Sequence, residues 1–136
     1  MEDISFEARV LHTPYEKPDA YNALSMPVYN TAAYEFDTAE AMEAAFCGNT
    51  SDHAYSRITN PTVQYFEDRV RAITGAMSVT ALNSGMAAIC NTLMTIGRAN
   101  ANIVTSPHLF GNTFSLLKNT LAAFGMEARF CDLTNP

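Results

Sequence analysis

A chain of 136 residues, 48% apolar and 10% aromatic, is long enough to bury a core, which argues against disorder. Eight lysines and arginines against fourteen acids leave a net charge of −6, and no basic stretch of the kind a nucleic-acid binder carries is present. No apolar run is long enough to span a bilayer, and the acidic start Met1-Glu2-Asp3 lacks the pattern of a signal peptide. A cytoplasmic protein with no membrane or nucleic-acid partner is expected.

In chain order, residues up to 59 form an N-terminal arm. Met26 to Tyr34 reads as extended, with Pro27 limiting its place in a sheet. Asp37-Thr38-Ala39-Glu40 resembles a capping box opening a short helix through Phe46. Residues 47–59 are a polar loop. From Asn60 the pattern turns helical: Asn60 suits the N-cap, Pro61 the first helical position, and Val63, Phe66, Val70 and Ile73 fall on one face before Gly75. Met77 to Leu82 reads as a short buried strand. Ser84 to Ile96 is the next helix, with Met86, Ile89, Leu93 and Ile96 on one face and Gly97 at its end. Asn102 to Thr105 is a strand. Phe110 to Phe124 is a helix with Phe114, Leu117, Leu121 and Phe124 on its apolar side, and Met126 to Cys131 is another strand. Strands joined through helices imply parallel pairing and an α/β fold.

Cys47, Cys90 and Cys131 are far apart and form no C-x-x-C pair, so free thiols are expected rather than a zinc site or disulfides. His12, His53 and His108 are equally dispersed, and no metal site is expected.

Two stretches carry chemistry. Asn83-Ser84-Gly85-Met86-Ala87-Ala88 lies where an apolar segment meets a helix. A helix's first turn offers unpaired N–H groups and a positive dipole end, glycine permits close backbone approach, and serine adds a donor: the parts of a phosphate cradle. A Ser-Gly turn placed for steric reasons alone is the competing reading. Tyr55-Ser56-Arg57-Ile58-Thr59-Asn60-Pro61-Thr62 supplies the one basic residue between Lys17 and Arg69. In an extended segment Tyr55 and Arg57 point the same way, and arginine's fork of donors suits phosphate. A surface ion pair of Arg57 with Asp52 or a neighbouring acid is the alternative. A dinucleotide-binding domain is also weighed, but G-x-G-x-x-G is absent after any expected strand.

In order and spacing, Tyr55 to Thr62, Glu67, Asn83 to Ala88, and Leu109-Phe110-Gly111-Asn112-Thr113 together resemble the N-terminal part of the Cys/Met-metabolism enzymes that use pyridoxal 5'-phosphate. That group contains O-acetylhomoserine sulfhydrylase, cystathionine γ-synthase, cystathionine γ-lyase and methionine γ-lyase. Pro27-Val28-Tyr29-Asn30-Thr31 resembles the family's extended segment.

The resemblance implies the N-terminal part of a type I aminotransferase-like pyridoxal-phosphate fold. Residues 1–59 would be the arm, with its short helix and loop, and residues 60–136 the first part of the α/β cofactor-binding domain. It implies that Ser84, Gly85 and Met86 bind the cofactor phosphate and that Phe110 stacks on the pyridine ring. Tyr55 and Arg57 would reach the phosphate of a neighbouring subunit, so a homo-oligomer, commonly a tetramer, or a complementary C-terminal chain is expected as partner, with an amino acid as substrate. Many members have tyrosine where this chain has Phe110, which mildly favours γ-replacement over γ-elimination. The family's Schiff-base lysine lies beyond the equivalent of Pro136. Lys17 and Lys118 do not match it, so no catalytic residue is assigned and the chain alone is expected to be inactive. The implied activity is replacement on O-acetylhomoserine by sulfide or a thiol in sulfur amino-acid metabolism. The other enzymes of the group, and a non-catalytic truncated or split-gene assembly module, remain as alternatives.

Overall fold

The structure, a computed structural model, describes residues 5–12 and 21–134; Lys17 and the acidic start lie outside them. The chain folds as two units, Met1–Ala81 and Leu82–Pro136.

In the first unit three helices are set by their caps: α1 (Phe6–His12), α2 (Ala39–Phe46) and α3 (Pro61–Thr74). The sequence reading did not anticipate α1. It starts because the Ser5 hydroxyl accepts the Ala8 N–H at 3.2 Å, and it packs on α3, where the Arg69 guanidinium donates to the Val10 carbonyl. The cap of α2 is Thr38, whose Oγ1 accepts from the Ala41 N–H at 3.1 Å. The cap therefore sits one residue later than the box expected at Asp37, because Thr38 itself is the last extended residue. Helix α3 matches expectation at both ends: Asn60 caps it, Pro61 opens it, and Gly75 closes it at φ 70°, a left-handed conformation that glycine adopts without a Cβ clash.

Residues 26–34, expected to be extended, form neither a helix nor a laddered strand; Ala32 bends the chain and Ala33 makes an isolated antiparallel bridge to Tyr55. The segment expected as a strand over Met77 to Leu82 is not one. A strand exists only by its ladder, and no described residue pairs with this segment. The Glu67 carboxylate instead takes the Ala81 N–H at 2.6 Å.

In the second unit α4 (Gly85–Ile96) leads to β1 (Asn102–Thr105). A helical run then passes through α5 (Gly111–Ser115), the π-helical turn π1 (Leu116–Thr120) and α6 (Leu121–Ala123) to β2 (Glu127–Phe130). The two strands pair in parallel, from Asn102 opposite Glu127 to Thr105 opposite Phe130, as the α/β pattern requires.

The core of this unit is Leu116, Leu117, Leu121 and Met126, with Ile103, Ala128 and Phe130 packed against it from one face of the sheet. The π turn explains which residues are buried. The Leu121 N–H bonds to the Leu116 carbonyl, a five-residue step that rotates Leu116 inward beside Leu117 and leaves Phe124 60% exposed. On α4 the inward face is Met86, Cys90 and Leu93, whereas Ile96, expected on that face, is 78% exposed. Gly97 closes α4 without a positive φ (−88°). Its reason is space: a Cβ there would lie 2.6 Å from the Leu93 carbonyl oxygen and 2.7 Å from Met126 Sδ.

Candidate functional site

The turn before α4 has the geometry an anion needs. Ser84 is extended and caps the helix, its Oγ accepting the Ala87 N–H at 3.1 Å, so its own hydroxyl proton remains free to donate outward. The Ala88 N–H is taken by the Ser84 carbonyl at 3.0 Å. The N–H groups of Gly85 and Met86 have no acceptor among the described residues. No acidic residue sits in the first turn to offset the positive end of the helix. A Cβ built on Gly85 would meet nothing within 4 Å, so packing within the chain does not demand glycine there. Open space at that Cβ, two free N–H groups and one hydroxyl donor fit a phosphate group.

Met86 also ties the two helix starts together. Its side chain points into the core, and its Sδ accepts from the Thr113 hydroxyl at 3.7 Å. That contact joins the first turn of α4 to the first turn of α5. Phe110 precedes α5 with φ −58° and ψ 137° and begins it by accepting the Phe114 N–H at 3.0 Å. Leu109 packs on the core while Phe110 is 78% exposed, leaving an aromatic ring open at the start of α5. Thr113 was read from sequence only as part of the motif at 109–113; its contact with Met86 was not anticipated because it spans two helices.

Tyr55 and Arg57 belong to the first unit. They do not share an extended strand. The Ile58 N–H returns to the Tyr55 carbonyl at 2.8 Å, closing a turn. The pair still meets, because the Arg57 guanidinium stacks over the Tyr55 ring, 4.7 Å from its centroid. Among the described residues Arg57 has no ion pair, with Asp52 or with any other acid.

Sequence reasoning also missed the breadth of Asn60. It was read as a cap, and it is one: its Oδ1 accepts the Thr62 and Val63 N–H groups at 2.9 and 3.4 Å. Its Nδ2 also donates toward the Tyr29 carbonyl at 3.0 Å, Ser56 Oγ at 2.9 Å and the Tyr34 hydroxyl at 3.2 Å. Those acceptors lie on a remote segment and on the loop, and no local pattern reports them.

Lys118 lies in the π turn with its ammonium 5.5 Å from the Phe114 ring centroid. Among the described residues no group of three His, Cys, Asp or Glu side chains is placed to hold a metal ion, and no helix is long and apolar enough to cross a membrane.

The model of the family described as Cys/Met metabolism PLP-dependent enzyme matches residues 7–136. An L-methionine gamma-lyase of Pseudomonas putida is 38% identical over 130 residues, 96% of this chain and 33% of that protein. An O-acetyl-L-homoserine sulfhydrylase of Corynebacterium glutamicum is 35% identical over 127 residues, 93% of this chain and 29% of that protein. Among solved structures, a protein of Campylobacter jejuni assigned as an O-acetylhomoserine (thiol)-lyase superposes with a TM-score of 0.87 at 31% identity, covering 96% of this chain and 32% of that one. It carries N'-pyridoxyl-lysine-5'-monophosphate. The chain thus spans about a third of the length of the relatives it matches.

Proposed function

Because the chain belongs to the Cys/Met-metabolism family of pyridoxal-phosphate-dependent enzymes, we propose that it is the cofactor-phosphate-binding portion of an enzyme acting at the γ-position of a sulfur-metabolism amino acid. The reaction is replacement of the acetoxy group of O-acetylhomoserine by sulfide or a thiol. The observation that carries this reading is the α4 turn, where Gly85 and Met86 offer free N–H groups and the space at the Gly85 Cβ position is open.

When bound, pyridoxal phosphate supplies an electron sink for the substrate carbons. The family resemblance and the placement of this chain's residues support the following roles. Ser84, Gly85 and Met86 hold the phosphate by hydroxyl and backbone donors at the positive end of α4. Phe110 lays its exposed ring on the pyridine and so fixes the cofactor plane. Lacking a hydroxyl, Phe110 moves no proton, which supports replacement over elimination. Tyr55 and Arg57, pre-stacked as a pair, add a charged fork to the same phosphate from a neighbouring subunit of a homo-oligomer. A cytoplasmic enzyme fits this chemistry.

Methionine γ-lyase is the second reading, favoured by the 38% identity to the Pseudomonas putida enzyme. The two separate by product: with O-acetylhomoserine and sulfide the complete protein yields homocysteine, whereas methanethiol from methionine as the dominant product would overturn the replacement reading. Residues 1–136 alone are inactive in this proposal, since neither Lys17 nor Lys118 matches the family's Schiff-base lysine. Turnover by those residues with no other polypeptide present would refute it. The cross-subunit role is tested by Arg57→Ala, expected to weaken cofactor retention in the holoprotein about tenfold or more.

A further inference from the structure

We propose that Asn60 is the positioning residue for the Tyr55–Arg57 pair, clamping the arm segment at 27–34 to the loop that carries them. The inference rests on the reading that this pair serves the cofactor phosphate. Asn60 is 8% exposed, the one buried polar residue among those described, and every polar atom of its amide is used.

The cap determines which way the amide faces. Oδ1 must face α3 to accept the Thr62 and Val63 N–H groups, so the NH2 group faces the arm and loop. There it meets the Tyr29 carbonyl, Ser56 Oγ and the Tyr34 hydroxyl, three oxygens sharing two hydrogens. The Ser56 hydroxyl donates to the Thr31 carbonyl, so its oxygen turns to Asn60 as an acceptor. The chain of donors therefore runs from Asn60 through Ser56 to the arm. Ser56 lies between Tyr55 and Arg57, and its backbone N–H is held by the Ala32 carbonyl at 2.9 Å. Thr62 reinforces the same join, accepting the Tyr29 N–H at 2.8 Å and donating to the Pro27 carbonyl at 3.3 Å. Arg57 itself is exposed and, among the described residues, its guanidinium is anchored on Tyr55 alone, so its direction depends on how firmly this turn is held.

Aspartate separates the two functions of Asn60. It caps a helix as well as asparagine does, but it presents oxygen to the Tyr29 carbonyl where asparagine presents N–H. Asn60→Asp should leave hydrogen exchange across 61–74 as in the parent. Exchange across 27–34 and 54–58 should become about tenfold faster or more. In the holoprotein the dissociation constant for pyridoxal phosphate should rise about tenfold, the scale of one lost charge-assisted hydrogen bond. Ser56→Ala, which keeps Asn60 and the cap, should shift the same two segments and the cofactor affinity in the same direction, and serves if the aspartate variant does not fold.

Unchanged exchange over 27–34 and 54–58 in both variants overturns the clamp. If Arg57→Ala weakens the cofactor and Asn60→Asp does not, the positioning role is overturned while the phosphate reading stands. If the exchange changes appear but neither Arg57→Ala nor Asn60→Asp alters cofactor affinity, the phosphate reading of Tyr55 and Arg57 fails and takes the positioning role with it.

Discussion

Two glycines of the second unit separate a site from a scaffold at the scale of single residues. Gly85 has open space where its Cβ would be, and Gly97 has a carbonyl oxygen at 2.6 Å and a sulfur at 2.7 Å. Gly85→Ala should therefore leave the thermal midpoint within a degree or two while weakening cofactor binding about tenfold or more, because the added methyl competes with the phosphate and with nothing in the chain. A fall in stability with cofactor affinity intact would show that the glycine serves packing. Gly97→Ala should do the reverse and cost about 1–3 kcal/mol in denaturant unfolding, since the Leu93 carbonyl cannot step aside as a side chain can. From sequence Gly97 read as the stop of a helix, and Gly85 as part of either a phosphate cradle or a turn made of glycine for steric reasons alone. Their difference depends on what lies across the space from each, which no local pattern encodes.

At the scale of elements, the helical run over 111–123 shows how a correct periodicity can still leave the inward face incompletely described. Leu117 and Leu121 were legible as core, and they are 3% and 1% exposed. Leu116 at 9% was not, because the π turn adds a residue to the step and brings a neighbouring position inward. Leu121→Ala should cost about 2–5 kcal/mol in chemical denaturation, the usual range for emptying a fully buried leucine site. Loss of less than about 1 kcal/mol would mean that the core collapses around the gap. At the end of β2, the Asp132 carboxylate accepts the Thr134 hydroxyl at 2.6 Å and its N–H at 2.9 Å. The hydroxyl bond, followed by the backbone bond, holds the Asp132 carboxyl below its ordinary value. The ionised form is the one favoured by folding, so this turn is intact above the ordinary carboxylate range and is lost as pH falls through the lowered value. The Thr134 amide shift should titrate accordingly, and Asp132→Asn should flatten that titration.

At the scale of the whole molecule, the described core is small and the parallel pair of strands is covered on one face only. Ile103, Ala128 and Phe130 meet the helices, while Val104 on the other face is 61% exposed beside the Glu127–Arg129 ion pair at 3.1 Å. Parallel strands are ordinarily buried on both faces, and two strands alone are marginal. Residues 1–136 by themselves should accordingly unfold with a calorimetric enthalpy well below about 0.7 kcal/mol per residue, and a sharp transition at that value would contradict this. The helices of 61–74 and 85–96 and the Asn60 cap were determined by the sequence, because caps, glycine stops and apolar spacing act over one or two turns; the parallel pairing followed from the alternation of helices and strands, and the family from the resemblance of the motifs at 55–62, 83–88 and 109–113. What only the tertiary structure decided is where long-range partners fall. Met77 to Leu82 lacks a ladder and is no strand, Arg57 finds the Tyr55 ring rather than an acid, Thr113 ties Met86 to the second helix start, and Asn60 reaches an arm some thirty residues away. Hydrogen bonds and packing across such separations depend on chain closure in space, and residue spacing along the sequence carries no record of it.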